Sequence, residues 1–240
     1  MDLELELDKI KQLELDKTIE PVKPKRKPRE FKLIEPFDAK LMSFEVGKIK
    51  GRRFYGIEDF VCGLIETNKV FLAGGALRTI IDPEDEVSDY DLFFYNLDDV
   101  QEIKKLIEEE GFNLYYACPE NKLFSYIRSY DDGRATKVQL ICEHAYDSPI
   151  DCISQFDFGA CAAALTAEKF YCYDMFINNV RNKTITMLSL PFPLASFKRA
   201  AKYAAKGYNI GYFAEQFIWE VRMMSQELLV EGGAMRRYID

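Results

Sequence analysis

Short apolar runs broken by glycine, proline and acidic turns dominate the chain, and one stretch orders the rest. Residues 70–73 (Val-Phe-Leu-Ala) are continuously apolar and meet Gly74-Gly75. Residues 92–95 (Leu-Phe-Phe-Tyr) form a second run, entered through Ser88-Asp89-Tyr90-Asp91. Runs of this length between turn signals predict buried strands. Residues 76–81 between them predict a short amphipathic helix followed by an acidic turn. The expected order is strand, glycine turn, helix, loop, strand.

The same periodicities continue on both sides. Residues 56–68 predict a helix with Phe60, Val61, Leu64 and Ile65 on one face. Residues 98–111 predict another, with a stripe of Val100, Ile103, Leu106 and Ile107, a cap at Asp98 or Asp99, and an end at Gly111. Strands are expected at 113–118, 123–130 and 135–142, with a turn at 131–134. A short helix follows over 150–155, with Pro149 near its first position. Residues 158–165 and 169–173 predict strands across a turn. Residues 193–206 and 210–229 predict helices, the second with Phe213, Phe217, Val221, Met224 and Leu228 on one side. This mixture predicts an α/β (α+β) protein, a small mixed twisted sheet with flanking helices plus a short C-terminal helical neck. The expected organisation is an arm over 1–30, a domain over 31–190 and the neck over 191–240.

Charge changes the picture at the N-terminus. Residues 1–20 alternate leucine with acidic residues at their start, and residues 21–30 hold three prolines and five basic residues. That composition predicts an extended linker. One reading is a disordered tail; the other is a docking arm for a protein partner or for self-association. The 240-residue chain has a net charge of −8, which argues against a general nucleic-acid-binding surface. Its six cysteines form no C-x-x-C pair, and His144 is the single histidine, so zinc is not expected. No apolar run approaches the ~20 residues that span a bilayer, and the acidic start is unlike a signal peptide. A cytoplasmic protein without membrane contact is expected. Neither a P-loop nor a dinucleotide fingerprint is present, and the acidic loop 82–91 lacks the glycine and ligand spacing of a calcium loop.

The candidate chemistry lies in the opening stretch. Alternate strand residues share a face, so Asp89 and Asp91 project together. A turn of two glycines lets backbone N–H groups approach a ligand, and the helix start beyond it favours an anion. Mg²⁺ is commonly held between one or two carboxylates and substrate phosphates. Farther along, Lys198, Lys202 and Lys206 recur at one-turn spacing beside Arg199.

These residues resemble a family, the nucleotidyltransferase superfamily of the DNA polymerase β type. The nearest likeness is to the head domain of bacterial poly(A) polymerases and tRNA CCA-adding enzymes. Gly74-Gly75-Ala76-Leu77-Arg78 matches its Gly-Gly-x-x-Arg turn, and Asp89 and Asp91 match its Asp-x-Asp strand. Residues 156–162 are similar to its Arg-Asp-Phe-Thr-x-Asn-Ala strand, and residues 199–208 to its arginine-rich helix. The resemblance spans roughly residues 70–210. It implies two-metal transfer of a nucleotide from an NTP to a hydroxyl acceptor, with Mg²⁺ or Mn²⁺ as cofactor. Asp89 and Asp91 would bind metal, Asp157 would be the third catalytic carboxylate, and Gly74, Gly75, Arg78, Arg199 and Lys202 would bind the nucleotide. The acceptor is an RNA end, a protein side chain or a small molecule.

The chain departs from the pattern at four places. Gln139 stands where the third acid is expected, Phe156 replaces the Arg, Cys161 the Asn, and Thr79 the acid after the first Arg. An amide is neither a strong metal ligand nor a base. Two functional readings therefore stay open, an active nucleotidyltransferase and a nucleotidyltransferase-fold protein that binds a partner without turnover.

Overall fold

The computed structural model describes residues 40–45, 57–118, 122–189, 193–211, 213–215 and 217–218. The chain divides into two compact units, Met1–Phe37 and Asp38–Asp240, and every described residue belongs to the second. The expected arm over 1–30 and most of the helix over 210–229 lie outside the described residues.

Eight strands form one mixed sheet, in agreement with the fold expected. They are β1 (Leu41–Glu45), β2 (Val70–Ala73), β3 (Tyr90–Phe94), β4 (Asn113–Cys118), β5 (Leu123–Ser129), β6 (Ala135–Ala145), β7 (Ala163–Leu165) and β8 (Lys169–Tyr173). Their order is β1-β8-β7-β2-β3-β6-β5-β4. All neighbours are antiparallel except β3 and β6, which run parallel with Asp91 level with Gln139. Among the described residues, helices α1 (Asp59–Glu66), α2 (Val100–Glu109), α3 (Pro149–Ile153), α4 (Asp174–Asn182) and α5 (Pro193–Ala205) accompany the sheet.

The two sheet faces bury different residues. Tyr90, Leu92 and Phe94 of β3 join Leu72, Val138 and Leu140 in the main core, where α1, α2 and α4 contribute Val61, Leu64, Ile103, Ile107 and Phe176. Phe71, Phe93 and Ala164 point the other way and meet Cys152 and Ile153 of α3, with Tyr146 and Phe156 packed alongside. This is the period-two alternation of half-buried strands. Leu92 and Leu140 have no exposed surface, so truncating either to Ala costs about 2–5 kcal/mol.

Local chemistry moved several boundaries. The segment 76–81 is a 3₁₀ helix, Gly75–Ile80. The helix expected over 98–111 is capped by neither Asp98 nor Asp99. Asn96 accepts the Asp98 N–H at 3.0 Å and opens a short 3₁₀ turn ahead of α2. The strand expected over 158–165 is confined to β7, because Gly159–Cys161 coil into a 3₁₀ turn against α4. A Cβ on Gly159 would lie 2.7 Å from Asn179 Oδ1, so only glycine permits that approach. β1 and α4 were not expected. β1 is an edge strand with little buried surface, and α4 has only four buried side chains among its nine residues. A third cluster joins Phe158, Ala160 and Ile185 to Ala200 and Tyr203 of α5 and to Tyr208 and Phe213. The helical neck thus shares a core with the sheet domain.

Candidate active site

One cavity of about 430 Å³ collects all eight residues singled out in the sequence: Gly74, Gly75, Arg78, Asp89, Asp91, Asp157, Arg199 and Lys202. Its floor is the β3–β6 part of the sheet, and α5 forms its cationic wall. Gly74 leaves β2 with φ +96° and ψ −150°, a conformation that β-carbon-bearing residues rarely adopt. A Cβ on Gly75 would sit 2.5 Å from Arg78 Nη1. The two glycines therefore serve different ends. Gly74 permits the bend, and Gly75 gives room to a guanidinium.

Asp91 carries the most unusual electrostatics. The residue keeps some accessible surface, but its Oδ1 is sealed and has no hydrogen-bond partner. Burial pushes its carboxyl up to about 7; the Asp89 carboxylate adds to the rise and Lys202 opposes it. Asp89 is held at the mouth of β3, where its Oδ1 accepts the Ser88 hydroxyl at 2.8 Å. A hydrogen-bond-starved carboxylate beside a second carboxylate fits a divalent cation that takes oxygen ligands, with phosphate oxygens completing the shell.

The third carboxylate is another matter. Gln139 is level with Asp91 on β6, and its Nε2 donates to Ser125 Oγ at 3.2 Å. Asp157 is buried; Arg199 Nε donates to its Oδ2 at 2.7 Å, and Nη2 completes the ion pair at 2.5 Å. Asp157 and Arg199 thus face the cavity as a pair. Among the described residues no group of three or more His, Cys, Asp or Glu side chains is arranged to hold a metal.

Arg78 does not reach freely into the cavity. Its side chain is 6% exposed, and its Nε donates to Asp85 Oδ2 at 2.8 Å. Nη1 donates to the Tyr203 hydroxyl at 3.2 Å. Burial works against the Arg78 charge, yet Tyr203 and Asp85 hold its pKa above the ordinary value. Lys202 is exposed on α5 and lines the cavity.

Several lining residues were missed in the sequence. Glu143, Tyr146 and Gln155 belong to the cavity wall, as does Lys206 from the basic face noted on the sequence. Glu143 had a legible signal, since it follows Gln139 and Ile141 on the same strand face. It stands four residues beyond Gln139, about 13 Å along the strand at ~3.3 Å per residue. That is too far for it to replace Gln139 beside Asp91. Cys62, Cys142, Cys152, Cys161 and Cys172 are free thiols. Burial raises Cys152 well above the ordinary thiol range and pushes Cys161 up to about 12. Neither is an activated nucleophile.

Comparison with known proteins adds the lineage. Residues 45–183, more than half the chain, match the family model described as Gad2: Gabija anti-defense 2 family protein. The chain belongs to the Gabija anti-defense 2 family. No curated protein sequence matches it. Among solved structures, a CCA-adding enzyme in apo form I matches this Gabija anti-defense 2 family protein with a TM-score of 0.52. Identity is 11% over 82% of this chain and 49% of that one. Complexes of a CCA-adding enzyme with ATP and with CTP each give a TM-score of 0.51 at 13% identity, with the same coverages. The family member therefore has the nucleotidyltransferase fold and spans about half the length of those enzymes.

Proposed function

We propose that this protein transfers a nucleotide from an NTP to a hydroxyl acceptor, and that this transfer is how it acts against the Gabija defence named in its family's description. The observation that carries the reading is the sealed, unpartnered Oδ1 of Asp91 beside Asp89, facing a cationic helix across one cavity. The ATP and CTP complexes of the structurally similar enzymes lend support through the shared fold.

The acceptor oxygen attacks the α-phosphorus, the bond from that phosphorus to its bridging oxygen breaks, and pyrophosphate leaves. The hydroxyl proton passes to solvent. Asp89 and Asp91 would hold Mg²⁺ or Mn²⁺, which supplies charge neutralisation for the attacking and leaving oxygens. Lys202 attracts the phosphates. Arg199, fixed by Asp157, orients a planar donor array along the same wall. Arg78 acts at one remove, by holding the turn and the loop that carries Asp89. The acceptor is an RNA end, a protein side chain or a small molecule. The arm over 1–30 would supply a docking contact for a protein partner.

A second reading is favoured by Gln139. With an amide level with Asp91 and, among the described residues, no group of three carboxylates arranged to hold a metal, the protein would bind nucleotide or partner without turnover, as a catalytically degenerate member of the fold. Incubation with each labelled NTP and Mg²⁺ or Mn²⁺, scored for pyrophosphate and for label on RNA or protein, separates the two. Turnover that disappears in the Asp89→Ala/Asp91→Ala variant is expected. Turnover unchanged in that variant would sink the site assignment, and no turnover under any condition would leave the binding reading.

A further inference from the structure

Asp85 belongs to no motif in the sequence, yet among the described residues its carboxylate meets four partners. Its side chain is 4% exposed. Arg78 Nε stands at 2.8 Å, Lys183 Nζ at 3.6 Å and Lys206 Nζ at 4.0 Å. Tyr208 donates its hydroxyl to Oδ2 at 3.2 Å. These partners come from separate parts of the fold: the turn after β2, the end of α4, and the segment that closes α5. Neighbouring contacts tighten the same seam. Asp82 pairs with Lys183 at 2.6 Å, Lys206 Nζ donates to the Glu86 carbonyl at 3.0 Å, and Arg78 donates to Tyr203 of α5.

The loop so fastened leads directly to Asp89. The helix on its other side carries Arg199 and Lys202 to the cavity. We propose that Asp85 is a positioning residue, a clasp that locks the Asp89 loop onto α5 and thereby sets the carboxylate pair against the phosphate-binding charges. The proposal rests on the nucleotide-transfer reading for its functional half. The physical reason is charge. Arg78, Lys183 and Lys206 repel one another, and the buried Asp85 carboxylate faces all three, with Asp82 sharing Lys183. Thr79 supplies no counter-ion to Arg78. It directly follows Arg78 but turns its hydroxyl to the Ala76 carbonyl at 2.9 Å and offers no charge. The counter-ion for Arg78 comes instead from seven residues along the chain.

A purely structural ion pair would lower the melting temperature without a selective effect on the site, so the test reads selectivity. The full-length protein, Asp85→Asn and Tyr208→Phe are compared by hydrogen exchange and by calorimetric titration with Mn²⁺ alone and with Mn·ATP, well below their melting temperatures. In Asp85→Asn, amides of 82–89 and 193–206 should exchange roughly 10-fold faster while β2 and β3 stay protected. The Kd for Mn·ATP should rise about 10-fold and that for Mn²⁺ alone by clearly less, because β3 still holds Asp91 while the loosened loop shifts Asp89 relative to the cationic wall. Tyr208→Phe loses one hydrogen bond and should show the same split at about 3-fold, which keeps the test open if Asp85→Asn fails to fold. Uniform loosening of the whole domain, equal weakening of both ligands, or no local change in a folded variant would overturn the clasp. If the unmodified protein binds no nucleotide, the transfer reading fails on its own, and the exchange comparison still decides whether Asp85 fastens loop to helix.

Discussion

With its Oδ1 sealed and unpartnered, Asp91 holds a charge that the metal-free fold tolerates poorly. Below about pH 4 its carboxyl is neutral in folded and unfolded chains alike. Between there and about 7 the unfolded chain has released the proton and the folded chain has not, so rising pH favours unfolding; above about 7 the whole cost is present. At ~1.4 kcal/mol per pH unit the difference is several kcal/mol. Asp91→Asn should therefore raise the melting temperature at pH 8 and leave it nearly unchanged at pH 4, in the absence of divalent metal. Equal melts at pH 8 would contradict the burial argument. Mn²⁺ binding to the unmodified protein should strengthen as pH rises through about 7, which calorimetry at pH 6 and pH 8 can read. Gly75→Ala belongs to the same scale. Its Cβ would meet Arg78 Nη1 at 2.5 Å, and displacing a buried ion-paired side chain should destabilise the fold by about 1–3 kcal/mol, measurable in urea.

Among the elements, the parallel pairing of β3 with β6 matters most. It puts Gln139 level with Asp91 on the cavity face, so Gln139→Glu adds a carboxylate where the resemblance expects one. That variant should bind Mn²⁺ more tightly and, without metal, melt lower at pH 8, since a third carboxylate would join Asp89 and Asp91. Unchanged Mn²⁺ affinity would show that the position cannot serve the metal. The Asp157–Arg199 pair joins α5 to the segment before β7. Arg199→Ala leaves a carboxylate that is 5% exposed without its partner. Because Arg199 is itself nearly half exposed, a loss near the low end, about 2–3 kcal/mol, is expected from chemical denaturation.

For the molecule as a whole, the chain separates into Met1–Phe37 and Asp38–Asp240. Deleting residues 1–37 should leave the melting transition of the remaining unit in place, and a lost transition would make the N-terminal segment part of the fold. Among the described residues no helix is long and apolar enough to cross a membrane. The cavity lies at the end of β3 that carries Asp89 and Asp91.

The sequence by itself determined the β2–turn–β3 unit, the alternation of β3 and the helical character of residues 193–206, since each is encoded by local periodicity and by glycine punctuation. It also singled out eight residues that meet in one cavity, because motif order along a chain reflects a shared fold. Local pattern could not show which of these side chains are already engaged with one another. Arg78 and Arg199 are equally cationic in the sequence, but tertiary packing buries the first against Asp85 and pairs the second with Asp157. The 3₁₀ turn at Gly159–Cys161 was likewise decided from outside, by Met175 and Asn179 of α4. The clasp at Asp85 had no sequence signal at all, because its partners Arg78, Lys183, Lys206 and Tyr208 converge only when the ends of α4 and α5 close over the loop. Long-range electrostatic partners are chosen by the folded geometry, and periodicity carries no information about them.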